Sequence, residues 1–209
     1  MKLALNTILL LLVFSLNAQT IDKKRKIIDL SISFAGFGGD YITNSSGIQA
    51  EGEIEINSSI GVQCGVRYIY DISKYNSGGY FIVNVDDLKG FLVDIEIKKY
   101  NSSLKNNIQG GYFGGRTAYL FTYSTRDNYQ IRRYKAGVYG IIGWKYVAVS
   151  GFLFEVSAGL GLQIIDSHSN KNNDVDYYIP VEFPWPKPYD EGTGFYPDFT
   201  CDVKLGWRL

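Results

Sequence analysis

Acidic and basic side chains recur at every second position in two stretches of this chain, Glu51, Glu53, Glu55 and then Asp94, Glu96, Lys98. Three chemistries are open to such rows. Paired carboxylates can act as general acid and base, a file of acids and bases can carry protons or ions, and a cluster of both signs can hold a small polar ligand. A second constellation is Asp166-Ser167-His168-Ser169-Asn170, which holds the only histidine beside the hydroxyl and acid types of a nucleophilic triad. A triad needs spatial rather than sequence neighbours, so this stretch reads first as an exposed loop. Asn172-Asn173-Asp174-Val175-Asp176 offers oxygen ligands but lacks the glycine and closing glutamate of a dedicated calcium loop.

The elements that carry these side chains have a period of two. After Lys26, Tyr, Phe, Ile and Val alternate with Gly, Ser or charged residues between Asn/Ser/Gly clusters, and helical spacing is nowhere sustained. All five prolines lie at or beyond Pro180, so the earlier chain lacks the residue that most damages sheet ladders. The spacing predicts eight strands, at about 27–37, 48–57, 59–71, 89–100, 110–124, 131–144, 151–165 and 196–209. Connections alternate in length. Short ones fall at Asn57-Ser58-Ser59, 102–109 and 145–150, and long ones at 38–47, 72–88, 125–130 and 166–195.

Each strand has one apolar face. The seventh shows Phe152, Phe154, Val156, Ala158, Leu160, Leu162 and Ile164, the third Ile60, Val62, Cys64, Val66, Tyr68 and Tyr70, and the eighth Phe199, Cys201, Val203, Leu205, Trp207 and Leu209. The opposite faces collect Asp29, Glu51, Glu53, Glu55, Asp94, Glu96, Glu155 and Asp202 with Arg67, Lys98, Arg116, Lys135, Lys204 and Arg208, eight acids against six bases. Alternation alone does not say which face points inward. Aromatic placement helps decide: Phe113, Trp144, Phe152 and Trp207 cluster near one end of the apolar rows, and Phe34, Tyr68, Tyr70, Tyr123, Tyr134 and Phe199 near the other. Two aromatic belts with aliphatic residues between them are the outward signature of a membrane barrel. A soluble barrel would scatter its large aromatics through the core.

The chain opens with Met1-Lys2, the apolar run Leu3 to Leu16 and then Asn17-Ala18-Gln19, the layout of a secretory signal peptide. The expected organisation is a cleaved leader over 1–18, a short periplasmic segment over 19–26 and one barrel over 27–209. No second long apolar stretch follows, and 21 basic against 21 acidic residues give no net field to attract nucleic acid. Cys64 and Cys201 fall on strands three and eight, which are not neighbours in a closed eight-stranded sheet, so they are expected to remain unpaired.

The segments Gly111-Tyr112-Phe113-Gly114-Gly115-Arg116, Gly151-Phe152-Leu153-Phe154-Glu155-Val156-Ser157-Ala158-Gly159-Leu160-Gly161 and Val203-Lys204-Leu205-Gly206-Trp207-Arg208-Leu209 resemble small outer-membrane barrels of the OmpA/OmpX type. That resemblance implies an all-β, eight-stranded antiparallel up-and-down transmembrane barrel with short periplasmic turns and longer extracellular loops. It also implies a place in the outer membrane of a Gram-negative (diderm) bacterium, outer-membrane lipid as surroundings, and barrel assembly machinery that reads the C-terminal strand. Members usually end in an aromatic residue, whereas this chain ends in Leu209.

An eight-stranded barrel is just wide enough for its own side chains to fill. Charges inside must therefore pair or accept hydrogen bonds, and the expected interior is a salt-bridged plug. The resulting expectation is a non-enzymatic protein without catalytic residues, cofactor or bound metal, acting through surface loops or in envelope integrity. A narrow pore or small-ligand conduit is one alternative, and a secreted soluble β-barrel binding protein another. Tyr177, Tyr178, Phe183, Trp185 and Tyr189, spaced by prolines, are candidates for recognising an extracellular ligand.

Overall fold

The computed structural model describes residues 27–33, 45–71, 86–101, 109–126, 129–170 and 192–209. Period-two sequence becomes β-structure throughout: β1 (Ile28–Ser33), β2 (Ser45–Asn57), β3 (Ile60–Asp71), β4 (Asp86–Tyr100), β5 (Gly110–Arg126), β6 (Tyr129–Val147), β7 (Phe152–Ser169) and β8 (Gly192–Arg208). Every pairing is antiparallel between sequence neighbours, and β1 closes on β8 from Asp29↔Arg208 to Ser33↔Lys204, completing the barrel. The start of β1 and the end of β8 lie at one end, with the β2–β3, β4–β5 and β6–β7 connections; this is the terminal end, and the opposite one the far end.

Two turns at the terminal end follow directly from local chemistry. The Asn57 side-chain oxygen accepts from the Ser59 and Ile60 amides at 2.9 and 3.0 Å, an Asx arrangement that reverses the chain between β2 and β3. Between β6 and β7 the Gly151 amide donates to the Ala148 carbonyl at 2.9 Å, and Gly151 has φ 90°, a conformation that glycine adopts without penalty.

Several expected boundaries shift, chiefly at the far end. β5 and β6 stay paired out to Arg126↔Tyr129, so the long connection expected over 125–130 shrinks to two residues. β7 continues to Ser169 and β8 begins at Gly192, which places Asp166 and His168 in a strand rather than in the loop expected over 166–195. β2 and β4 likewise start three residues earlier than expected. In each case alternation weakens where polar residues occupy both faces, while backbone pairing to the neighbouring strand carries the ladder on. The predicted leader, Phe34, the 172–176 oxygen cluster and Tyr177, Tyr178, Phe183, Trp185 and Tyr189 lie outside the described residues.

The two faces are inverted relative to a soluble protein. Val66, Val138, Ile142, Leu160 and Phe113 are more than half exposed on the outer surface, while Lys98, Lys204 and Glu96 are fully buried inside. Glycines facing inward make room for long neighbours: the Tyr112 ring lies over Gly143, and a Cβ on Gly65 would sit 2.8 Å from the Asp94 carboxylate. Valine at Gly143 should therefore displace Tyr112 and cost about 1–3 kcal/mol, read as a lower unfolding midpoint. Cys64 and Cys201 are both free and lie in the outward rows. Alkylation of the unfolded, unreduced protein should tag two thiols; a single disulfide-linked species would contradict the strand order.

Candidate functional site: the charged interior

The inward positions bring together side chains that sequence separates by more than 170 residues. Nearest the terminal end, Arg208 donates to both Asp29 oxygens at 2.7 and 2.8 Å, closing β8 onto β1. Lys145 reaches Asp29 at 2.5 Å and Glu53 at 2.9 Å, and the Tyr100 hydroxyl donates to Glu53 at 2.7 Å.

A second tier centres on Glu155. Lys98 bridges Glu53 at 2.9 Å and Glu155 at 2.7 Å, and donates to Gln63 at 2.6 Å. Lys204 joins Glu51 at 2.9 Å to Glu155 at 3.1 Å, and the Tyr112 hydroxyl completes the set by donating to Glu155 at 2.8 Å. Lys98 and Lys145 also face the rings of Tyr112 and Tyr100, at 4.9 and 5.5 Å from their centroids. The flat faces of these rings attract cations, so the two tyrosines serve the network with both ring and hydroxyl.

The third tier is built from guanidinium groups. Arg116 donates to Glu96 at 2.7 Å through Nη2 and to Asp202 at 2.6 Å through Nη1. Arg67 donates to Asp202 at 3.1 Å and to Gln49 at 2.7 Å, and Gln49 in turn donates to Asp94 at 2.6 Å. Farther along, Lys135 pairs with Asp198 at 3.2 Å, and the Tyr139 hydroxyl donates to the same carboxylate at 2.6 Å.

Toward the far end the interior changes character. Ile69, Leu88, Leu92, Leu120, Ile131, Ile165 and Tyr196 form a buried apolar cluster. Leu88, Leu92, Leu120, Ile131 and Ile165 hold inward positions that the charge pattern alone leaves unassigned. Between this cluster and the guanidinium tier lies a cavity of about 30 Å³ bordered by Arg67, Asp94, Arg116, Lys135 and Asp198 on one side and Leu92 and Leu120 on the other. That volume is on the order of one water molecule.

Of the expected interior charges, Asp29, Glu51, Glu53, Arg67, Asp94, Glu96, Lys98, Arg116, Lys135, Glu155, Asp202 and Lys204 are buried, while Glu55 and Arg208 are half-buried at the terminal end. The sequence reading overlooked Lys145, Arg133 and Asp198, all buried. Strand parity was the available signal. Lys145 and Arg133 share the odd-numbered face of Lys135 on β6, and Asp198 the even-numbered face of Asp202 on β8. Their inclusion corrects the charge count: the expected excess of two acids becomes near balance, with eight buried carboxylates against seven buried bases and half-buried Glu55 and Arg208 at the rim.

The Ser/His stretch is also resolved by parity. Ser167 points inward, fully buried, and accepts from Arg133 Nε at 3.1 Å, whereas His168 is exposed on the outer face with Asp166 at 3.1 Å from its Nε2. Successive residues of a strand face opposite ways, so the serine and the imidazole are separated by the barrel wall and form no triad. Among the described residues no group of three or more His, Cys, Asp and Glu side chains is arranged to hold a metal ion.

Near balance makes removal of either sign costly. Replacing Lys98 by Met leaves Glu53 with Lys145 and Glu155 with Lys204 as their remaining bases, and replacing Glu53 by Gln under-compensates Lys98 and Lys145; breaking a buried pair typically costs about 3–5 kcal/mol. Both unfolding midpoints, measured in one detergent, should fall by comparable amounts. Glu55→Gln, half-buried at the rim, should fall within about 0.5 kcal/mol of the parent. A neutral Glu53→Gln would contradict the ion-pair network.

No family model matches this chain, and no curated protein matches it. Among solved structures it is similar to the crystal structure of a major outer membrane protein from Thermus thermophilus, at 12% identity and a TM-score of 0.46, covering 88% of this chain and 99% of that one.

Proposed function

We propose that this chain is an integral outer-membrane β-barrel with a sealed interior, whose role lies in its outer surface and far-end loops rather than in conduction or catalysis. The observation that carries this reading is the inverted distribution of polarity. A closed sheet with lysines and carboxylates fully buried and Leu160, Ile142 and Val138 largely exposed is unfavourable in water, where apolar area should be hidden. The same distribution is favourable in lipid, where closure satisfies every backbone group and the outward side chains match the acyl chains.

Dimensions support the same reading. On β6, Trp144 and Tyr134 are outward residues ten positions apart, about 33 Å along the strand or roughly 25 Å along the axis at the usual tilt, which is the height of the apolar band of such barrels. Rings pair at both limits of the band. Trp144 stacks on Tyr146 at 6.0 Å and Phe152 meets Trp207 at 6.0 Å toward the terminal end; Phe91, Phe121 and Tyr134 are linked at 5.7 and 5.2 Å toward the far end.

In this reading the terminal end is periplasmic, a leader over 1–18 directs export from a diderm cell, and the assembly machinery engages the C-terminal strand with its outward Phe195, Phe199 and Trp207. The architecture is that of the small OmpA/OmpX-type barrels. Tyr177, Tyr178, Phe183, Trp185 and Tyr189, in the sequence between β7 and β8, are then candidates for contact with an extracellular ligand or for a part in envelope integrity. The ion-paired tiers and the apolar cluster argue against a pore, because paired charges and packed aliphatic side chains meet across the described interior.

Three measurements test the proposal. Detergent phase separation should place the folded mature chain in the detergent phase, and in planar bilayers it should show no steady conductance; recovery in the aqueous phase or stable open channels would overturn it. Arginine at Leu160, midway along the outward row of β7, should cost about 2–4 kcal/mol in vesicles, against roughly 0–1 for Tyr146→Arg near the boundary. Equal costs at the two positions would contradict the membrane placement.

A further inference from the structure

Just beyond the aromatic limit at the far end, the outward residues form a row of a different kind. Register places Tyr70 opposite Lys89, Lys89 opposite Tyr123, Tyr123 opposite Arg132 and Arg132 opposite His168. Lys89, Arg132 and His168 are exposed. Adjacent strands lie about 4.8 Å apart, so Lys89 and Arg132 flank Tyr123 with backbones roughly 10 Å apart. Two residues nearer the apolar band, the same strands present Phe91, Phe121 and Tyr134 as a continuous ring surface, and the Tyr134 ring meets His168 edge-on at 6.3 Å.

The local charges are unequal in their commitments. Asp166 is occupied: the Thr193 hydroxyl donates to it at 2.8 Å, and His168 Nε2 lies 3.1 Å away. Asp87 is exposed at the bulge where β4 meets β5, on the side of Lys89 away from the band. Among the described residues no carboxylate pairs with Lys89 or Arg132, although every buried base in the interior has a partner. At the terminal end the corresponding outward cation, Lys99, is instead seated on the ring of Phe113 at 5.8 Å.

We infer that Lys89, Tyr123 and Arg132 form a binding surface for the phosphorylated headgroup of an outer-leaflet lipid, whose acyl chains lie along Phe91, Phe121 and Tyr134. This rests on the membrane reading above. Its basis is complementarity on three counts. Two cations that pair with no described carboxylate suit phosphate oxygens, the intervening tyrosine hydroxyl can donate to them, and the rings directly beneath match the glycerol or sugar and upper acyl region that such a lipid places at that depth. An extended anionic polymer would not need the aromatic floor, and a neutral lipid would not need the cations.

The test uses the full mature chain refolded in detergent, with bis-phosphorylated lipid A as the probe and the same lipid stripped of both phosphates as its control. Native mass spectrometry counts retained lipid for the parent, Lys89→Ser/Arg132→Ser, Lys89→Arg/Arg132→Lys and Lys99→Ser. Each cation near a charged headgroup is worth about a fivefold change in affinity, so the double serine variant should lose roughly twenty- to thirtyfold. The charge-conserving swap and Lys99→Ser should bind like the parent, and the dephosphorylated lipid should bind no variant better than it binds the double serine protein. Equal retention of phosphorylated lipid by the parent and the double serine variant would overturn the inference. So would equal retention of the two lipids by the parent. Insertion of all four proteins into vesicles, assayed in parallel by flotation, separates the two levels: proteins that insert but do not discriminate refute this surface alone, whereas failure of all four to insert refutes the membrane reading beneath it.

Discussion

The structure depends on one constraint: a closed sheet of eight strands leaves an interior too narrow for charged groups to keep their water, so each must find a partner within the wall. Ionised groups deprived of both water and partner cost several kcal/mol or more. Glu155 meets that demand with Lys98, Lys204 and Tyr112, and Asp202 with Arg67 and Arg116. These partners come from β3, β4, β5 and β8, so the interior cannot be satisfied until the ring is closed. Register is specified at the same time, because a slip of one residue would turn the inward charges to the outer surface and the outward Val and Leu inward.

The interior is graded rather than uniformly polar. Carboxylates and amines dominate near the terminal end, guanidinium groups occupy the middle, and Leu88, Leu92, Leu120, Ile131 and Ile165 close the far side. Arg133 lies among these apolar side chains, with its Nε held by the Ser167 hydroxyl at 3.1 Å, so the far side packs aliphatic groups around one buried guanidinium and differs in kind from the ion-paired tiers. Glycine serves the charged tiers by yielding volume: where Gly65 and Gly143 face inward, neighbouring carboxylate and tyrosine side chains occupy the space a Cβ would need.

The outer surface has the complementary grading. Aliphatic residues in the middle give way to paired rings, and at the far end the rings give way to Lys89, Tyr123 and Arg132. Inside and outside are therefore two independent chemistries carried by one backbone, interleaved residue by residue. His168 and Ser167 show the consequence most plainly, since neighbours in the chain are separated by the full thickness of the wall and take part in unrelated contacts.

Much of this was legible in the sequence, because period-two alternation is a direct imprint of the pleat. The number of strands, their up-and-down order, the unpaired state of Cys64 and Cys201, and twelve of the buried charges follow from parity along strands that alternate cleanly. Strand ends were less legible. Around Arg126, Tyr129 and Ser169 both faces are polar, and there the continuation of the ladder is decided by the neighbouring strand's backbone, which no local pattern records. Lys145, Arg133 and Asp198 lay on legible faces but beside those uncertain ends or without a charged neighbour two residues away on both sides. Which acid meets which base was not legible at all. Partners such as Lys98 and Glu155, 57 residues apart, are chosen by the stagger between strands, and stagger exists only once the sheet has closed. The sequence by itself determined which side chains face inward; the tertiary structure alone decided their partners, because pairing is a property of distances across the ring and alternation carries no information about them.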